Sequence, residues 1–316
     1  MRERYVDVAK GIAMLFVVRI HTEIFGDLHF PYPVIAVPLF FFLSGFYDKT
    51  ERPIKQWIKK DFCILVGTSF IWSVINFLWV SFLHILRTKS IADIELPISW
   101  DAPIVGGGVS WFLLALFWTK VFAHFFSKIR INDTLKILLL VIIGTVITQY
   151  NLPLKIDEGV SALVFYYIGK MVHPSMEKIL SYNSLIIGGG ICLMLMSCCW
   201  FPYELVNLSV SHPMYLYPVY LAMSFLSFIT VMWICKKIEN WAWLSKYGQQ
   251  TLGILVLHPI MLHTIAVVLK RVFEPMSEIY IVCFLIGYVA VCVGAYYISL
   301  YISRHLPFLF GRFKSI

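Results

Sequence analysis

The chain has 316 residues, of which 59% are hydrophobic and 14% are charged; its formal net charge is +8 and its mean hydropathy is +0.79. About a quarter of the residues in a soluble domain are charged, so this composition excludes a water-soluble globular protein. The sequence therefore predicts a polytopic integral membrane protein.

Ten apolar runs are long enough to cross a bilayer. About 20 apolar residues span the roughly 30 Å hydrocarbon core as a helix, and the runs are continuous rather than alternating, which favours helices over strands. The predicted spans are 5–26, 31–47, 61–84, 109–127, 134–150, 159–172, 182–201, 213–235, 251–269 and 279–302. The predicted fold class is all-α, with about ten transmembrane helices in a single domain over 1–316 and no separate soluble domain.

Lys and Arg residues are distributed unevenly between the two sides of the membrane. Of the 26 Lys and Arg residues, 18 fall on the side of the two termini and five in the opposite loops. Because cytoplasmic loops carry this excess, we expect both termini to be cytoplasmic. The bias explains the basic charge, so the expected partner is the lipid bilayer and not nucleic acid. The seven cysteines lack metal-ligand spacing, and no metal site is expected.

The first predicted span contains four ionisable side chains. Lys10 and His21 are 11 residues apart, so at about 100° per residue they share one helix face, roughly 16 Å apart along the axis. Arg19 and Glu23 lie on the opposite side as an i,i+4 pair. Ionisable residues inside a membrane span usually mark a functional site. The first helix is therefore the main candidate site.

The Lys10–His21 face combines two kinds of chemistry. A histidine can take a proton from a hydroxyl near neutral pH, and a lysine near the cytoplasm can hold an anionic donor. This pattern indicates group transfer across the bilayer. A proton-coupled secondary transporter that uses His21, Arg19 and Glu23 is the alternative, although the sequence has no internal repeat of the kind common in transporters.

Six segments, in chain order, resemble the acyltransferase-3 family of membrane acyltransferases. The family's first helix has a basic residue, ten intervening residues and a histidine, a spacing matched by Lys10 and His21. The segments are RYVDVAKGIAMLFVVRIH (4–21), PLFFFLSGFY (38–47), WIKKDFCILVGTSFIW (57–72), WFLLALFW (111–118), VFYYIGKMV (164–172) and YGQQTLGILVLHPI (247–260). The chain looks closest to the fucose-4-O-acetylase-like and polysaccharide O-acetylase branch.

The resemblance implies a membrane O-acyltransferase of the bacterial cytoplasmic (inner) membrane. Such a protein moves an acetyl or other short acyl group from cytoplasmic acyl-CoA to a hydroxyl of a cell-envelope glycan or lipid-linked sugar. The resemblance places the transfer centre at His21 and donor binding at Lys10, with acetyl-CoA as the expected donor. Many members have Arg at the position of Lys10, and Arg19 replaces a residue that is usually apolar or small. Homo-oligomer formation stays open.

A basic segment follows the second span. Residues 48–60 include Lys55, Lys59 and Lys60 around Trp57. Ammonium groups suit the phosphates of CoA, and an indole can stack on adenine. Cytoplasmic topology with an interfacial Trp predicts the same pattern, so both interpretations stand.

Three further residues are candidates for the substrate channel. Ser44 is placed to line it, although Ser-Gly sequences also let helices pack closely. His258 is either a second channel histidine or a packing residue; His263 lies about 140° around the same helix and cannot share a small site with it. Trp111 suits sugar stacking, and equally an interfacial aromatic belt.

Overall fold

The structure is a computed structural model that describes residues 3–22, 35–48, 52–91, 94, 111–197, 217–275 and 277–313. These residues form helices and no strand. The α-helices within the described ranges are α1 Arg4–Ile20, α2 Val37–Phe46, α3 Ile58–Thr88, α4 Trp111–Ser127, α5 Asp133–Ile147, α6 Ile156–Ser161, α7 Leu163–Val172, α8 Met176–Ile179, α9 Asn183–Ser197, α10 Tyr217–Lys237, α11 Ala242–Gln249, α12 Thr251–Val272 and α13 Glu278–His305. Short 3₁₀ turns cover Ile54–Gln56, Pro153–Lys155, His173–Ser175 and Pro307–Phe310.

The helices agree with the predicted multi-pass architecture. Four of them, α3, α10, α12 and α13, are long and apolar enough to cross a membrane. Each of the other predicted spans also contains a described helix, such as α4 within 109–127. The all-helical prediction is confirmed for the described residues, while the count of ten spans and the orientation of the termini stay predictions.

Helix α1 lies at the centre of the bundle. It contacts α2, α10, α11, α12 and α13. Most of its apolar residues are buried, including Val6 and Val18, which have no exposed surface, and Asp7 is only 2% exposed. Asp7 therefore faces protein, while Lys10 and Arg19 are half-buried.

Glycines allow α2 and α7 to cross in backbone contact. A Cβ atom on Gly45 would collide with the Tyr166 carbonyl oxygen, and one on Gly169 would collide with that of Phe42. Small residues let membrane helices approach this closely. The packing interpretation of the Ser-Gly pair therefore holds for Gly45, and this contact fixes where neighbouring Ser44 lies.

The predicted cytoplasmic loop 236–250 contains a helix. In α11, Leu244 and Tyr247 are buried, and Gly248 packs against the Asp7 carbonyl of α1 with no space for a side chain. The Gln249 side-chain amide donates to Asp7 Oδ2 over 3.1 Å. The segment is too short to cross a membrane, and it joins α1 to the start of α12.

Helix α3 contains one π-helical stretch, Phe62–Gly67. The segment after α13 packs against it: Gly311 has a left-handed φ of 62° and touches the Cys63 carbonyl. The Trp72 indole N–H donates to the Leu309 carbonyl over 2.9 Å. Wider π turns inside α-helices often occur at functional sites, and this one supplies a wall of the cavity found beside α1.

Candidate functional site

Two histidines meet at the end of α1. His21 directly follows α1 and His258 lies in α12, with His258 Nε2 3.5 Å from His21 Nδ1. The rings are edge to face with centroids 5.1 Å apart. His258 has no exposed surface, whereas His21 is exposed. A buried histidine thus lies behind an accessible one.

Backbone carbonyls select the tautomer of both neutral rings. His21 Nδ1 lies 2.7 Å from the Val17 oxygen, and His258 Nδ1 lies 3.0 Å from the Ile254 oxygen. A carbonyl oxygen only accepts hydrogen bonds, so each Nδ1 carries the hydrogen and each Nε2 the lone pair. His258 therefore presents a lone pair to the Nδ1–H group of His21, and His21 Nε2 is left as the basic nitrogen.

The end of α1 explains why the Val17 carbonyl accepts a side-chain hydrogen bond. Val17 lies in the last turn of α1, where carbonyls have no helical N–H donor. Pro259 lies inside α12 and has no N–H, so the helix lacks the hydrogen bond to the Leu255 carbonyl, one residue after Ile254. Across the described ranges, no group of three or more His, Cys, Asp or Glu side chains is arranged to hold a metal ion.

A cavity of about 180 Å³ lies on the side of the histidines nearer Lys10. Met14, one of its lining residues, precedes His21 by seven residues, so the two share a face about 10 Å apart. Leu255 is another lining residue, and it precedes His258 by three residues, which is about 4.5 Å along the axis of α12. The cavity is lined by Lys10, Met14, Phe40, Ser44, Leu65, Phe112, Leu113, Leu116, Thr251, Leu252 and Leu255.

Lys10 and Ser44 supply polar groups to this mainly apolar cavity. Lys10 Nζ lies 5.4 Å from the centroid of the Tyr47 ring, a cation–π distance worth about 0.5–1 kcal/mol at an accessible site. Ser44 Oγ donates to the Phe40 carbonyl over 2.7 Å. The Ser44 hydroxyl proton is therefore already in a hydrogen bond, and the Ser44 oxygen can still accept one from a ligand. The cavity can hold a largely apolar ligand that carries N–H groups or negative charge near Lys10.

The basic segment does not line this cavity. Lys55, Lys59 and Lys60 are exposed. Trp57 is 6% exposed and its ring packs edge-on against His124 with centroids 5.8 Å apart. In this conformation the lysines are available at the surface, whereas the indole of Trp57 is covered by protein.

The remaining candidates lie at other positions. Arg19 is half-buried and interacts electrostatically with Tyr288 of α13. Glu23 lies outside the described residues, so the Arg19–Glu23 pair stays a prediction. Trp111 begins α4 and contacts Phe112 at a centroid distance of 6.4 Å. Phe112 lines the cavity and Trp111 does not.

The sequence interpretation missed a buried charged cluster at the start of α6. Lys155 Nζ lies 3.0 Å from Glu158 Oε1, and Asp157 is also buried. Burial and the neighbouring Asp157 raise the pKa of Glu158 to about 8. The backbone enters the cluster through two left-handed residues, Leu154 and Lys155. Two adjacent carboxylates that follow a lysine by two residues are a usable signal, and they lie between the predicted spans 134–150 and 159–172.

A second missed group lies where α2 meets α7. Asp48 accepts a 2.6 Å hydrogen bond from the Tyr166 hydroxyl and pairs with Lys170 at 2.9 Å. Asp48 follows the second predicted span and Lys170 lies near the end of the sixth, so sequence separation hid their contact. The group ties the two helices together next to Tyr47 and therefore positions one partner of Lys10.

Comparison with known proteins identifies one family. The family model described as an acyltransferase domain matches residues 3–304. The matched range begins before α1 and ends within α13, so it includes the histidine pair and all the cavity residues. No curated protein and no solved structure matches the chain significantly.

Proposed function

This chain belongs to the acyltransferase-3 family, and we propose that it is an acyl-CoA-dependent O-acyltransferase acting on cell-envelope glycans. It is a multi-pass membrane acyltransferase; the donor, acceptor and membrane are the proposed parts. We infer acetyl-CoA or another short acyl-CoA as donor, a glycan or lipid-linked sugar hydroxyl as acceptor, and the bacterial cytoplasmic membrane as location. One observation carries the proposal: the face of α1 that lines the cavity with Lys10 and Met14 also carries His21, which pairs with His258.

The histidine pair supports a direct transfer step. His21 Nε2 takes the proton of the acceptor hydroxyl, and the hydroxyl oxygen attacks the thioester carbonyl carbon. The carbon–sulfur bond then breaks, and the CoA thiolate takes the proton back from the His21 imidazolium. Atoms and charges balance without a further reactant. Throughout, the Nδ1–H group of His21 is held by Val17 and faces the lone pair of His258.

His258 acts in this step as a positioning residue. When His21 holds a proton on both nitrogens, its positive charge strengthens the hydrogen bonds donated by Nδ1–H. His258 Nε2 is an acceptor that cannot leave, because its ring is fully buried and bonded to Ile254. The 3.5 Å separation suits a contact that shortens when the ligand binds.

In this proposal, Lys10 and the basic segment bind the anionic parts of the acyl-CoA donor. The Lys10 ammonium lies at the end of the cavity away from His21, where it can attract an anionic group. The exposed Lys55, Lys59 and Lys60 can attract the phosphates of CoA as it approaches the protein. Trp57 would need to leave His124 before it could stack on adenine, so we assign the phosphate contact to the lysines.

The proton-coupled transporter is the competing function. It uses His21 together with Arg19 and Glu23, but it gives no role to the mainly apolar cavity beside Lys10. Uptake of a substrate into liposomes without CoA would favour transport. Transfer of label from acetyl-CoA would favour the enzyme.

The proposed function is tested with purified protein in lipid nanodiscs. We expect label from acetyl-CoA to appear in an extracted envelope-glycan fraction, and His21→Ala to lower the rate by about 10²–10⁴-fold, the usual contribution of a general base. His263→Ala is the matched control, because His263 is an exposed histidine of α12. Equal activity of His21→Ala and His263→Ala would reject His21 as the base. Absence of label transfer by the wild-type protein would reject the function.

A further inference from the structure

We propose that the cavity beside α1 holds the acyl end of the donor and that Leu255 limits the length of the acyl chain. This inference rests on the proposed acyl-CoA donor and adds a specificity-determining residue to it. The cavity is lined by the anion anchor Lys10 and by Leu255, which lies one helical turn before His258.

The polarity of the walls determines the orientation of the ligand. Lys10 and Ser44 lie together on the side away from the histidines, where a phosphate and the amide N–H groups of the pantetheine arm find an ammonium and an acceptor oxygen. The walls closer to the histidines are apolar and include Met14 and Leu255. A thioester that enters from the Lys10 side therefore places its acyl chain against these two residues.

The volume of the cavity selects short chains. Pockets that enclose drug-sized ligands have volumes of roughly 300–1,000 Å³, whereas this cavity has about 180 Å³. A two-carbon acyl group and its thioester fit such a space, but a six-carbon chain must displace side chains. Leu255 is 5% exposed and Met14 is 2% exposed, so neither can swing outward into solvent.

Leu255 is the better of the two positions to test. It lies one helical turn before His258, so it borders the part of the cavity nearest the reacting carbonyl. Leu262 provides a matched control, because it is a 4% exposed leucine of the same helix that does not line the cavity. Leu→Ala at either site removes the same atoms from the core, and only the change at position 255 enlarges the cavity.

The experiment measures binding of S-ethyl-, S-butyl- and S-hexyl-CoA to protein in nanodiscs. These thioethers have no carbonyl, so binding is read without transfer. One misfitting methylene in an apolar pocket costs about 10-fold or more, so we expect wild-type Kd to rise at least about tenfold from ethyl to hexyl. Leu255→Ala should reduce this ratio by about tenfold or more, and Leu255→Phe should raise it. Leu262→Ala should leave the ratio unchanged.

The outcomes separate this inference from the proposed function. An equal effect of Leu255→Ala and Leu262→Ala on the ratio, or no effect of either, would overturn the role of Leu255. Failure of all three thioethers to bind the wild-type protein would overturn the assignment of the cavity. Length-dependent binding in a protein that transfers no label from acetyl-CoA would uphold the cavity and reject the enzymatic function.

Discussion

The histidine pair and the Lys155–Asp157–Glu158 cluster are both groups of polar side chains where helices meet, yet they differ in what they can do. His21 is exposed and His258 adjoins a lining residue of the cavity. The charged cluster is covered, and none of its residues lines that cavity. Access to a ligand-sized space distinguishes the two regions better than burial or charge. We therefore assign chemistry to the histidines and a structural role to the cluster.

The packing around the cluster supports this assignment. The Trp118 indole N–H donates to the Leu154 carbonyl over 3.1 Å, and Thr119 Oγ1 donates to the Gly159 carbonyl over 2.8 Å. The Tyr217 hydroxyl donates to the Ser161 carbonyl. Contacts from α4 and α10 thus hold α6 in place, and the backbone polar groups are satisfied internally, as a low-dielectric environment requires.

The largest effect that sharpens this comparison is expected for His258→Ala. Losing a hydrogen bond to a charged group costs about 1.5–3 kcal/mol, which corresponds to about a 10- to 150-fold fall in kcat. We expect KM for acetyl-CoA to change little, and His258→Gln, which can still accept a hydrogen bond, to restore part of kcat. Kinetics of label transfer test this. Equal losses in His258→Ala and His263→Ala would place His258 with the structural groups.

A smaller effect, on stability rather than rate, is expected for Lys155→Met. Removing the Lys155 ammonium leaves the buried carboxyl groups of Asp157 and Glu158 without their neighbouring positive charge, which costs about 1–3 kcal/mol of stability. We expect a lower unfolding temperature in detergent and an unchanged kcat per folded molecule. Lys178→Met, at an exposed lysine, serves as the control. A selective loss of kcat in Lys155→Met would show that the cluster takes part in the reaction.

A third effect is a pH dependence of stability. Glu158 has an ordinary pKa of 4.5 in the unfolded chain and about 8 in the folded protein, so between these values the folded state binds more protons. Its contribution to stability is therefore fully present below pH 4.5 and is lost as pH rises through about 8. We expect Glu158→Gln to flatten the fall in unfolding temperature between pH 6 and 9 by roughly a few degrees. An equal slope in both proteins would contradict this prediction.

Helical periodicity predicted which residues share a face but not which helices are neighbours. It placed Lys10 and His21 on one side of α1, and Met14 on that face lines the cavity with Lys10. It also separated His258 from His263. The contact between His21 and His258 joins residues 237 positions apart, and no local pattern reports such a pairing. The neighbour of His258 is therefore known only from the tertiary structure, and the channel role of His258 stays a prediction.

The sequence by itself determined the membrane class, the helical fold and the acyltransferase-3 family, because low charge, long apolar runs and ordered motifs are properties of the chain. The tertiary structure decided that α11 packs on α1, that Trp57 is covered by His124 and that Lys155 and Glu158 pair inside the protein. The packing of α11 on α1 depends on the close approach of Gly248 to the Asp7 carbonyl, and that of α2 on α7 depends on the approach of Gly45 to Tyr166. Only the assembled helices create the cavity, because its walls come from segments spread between residues 10 and 255.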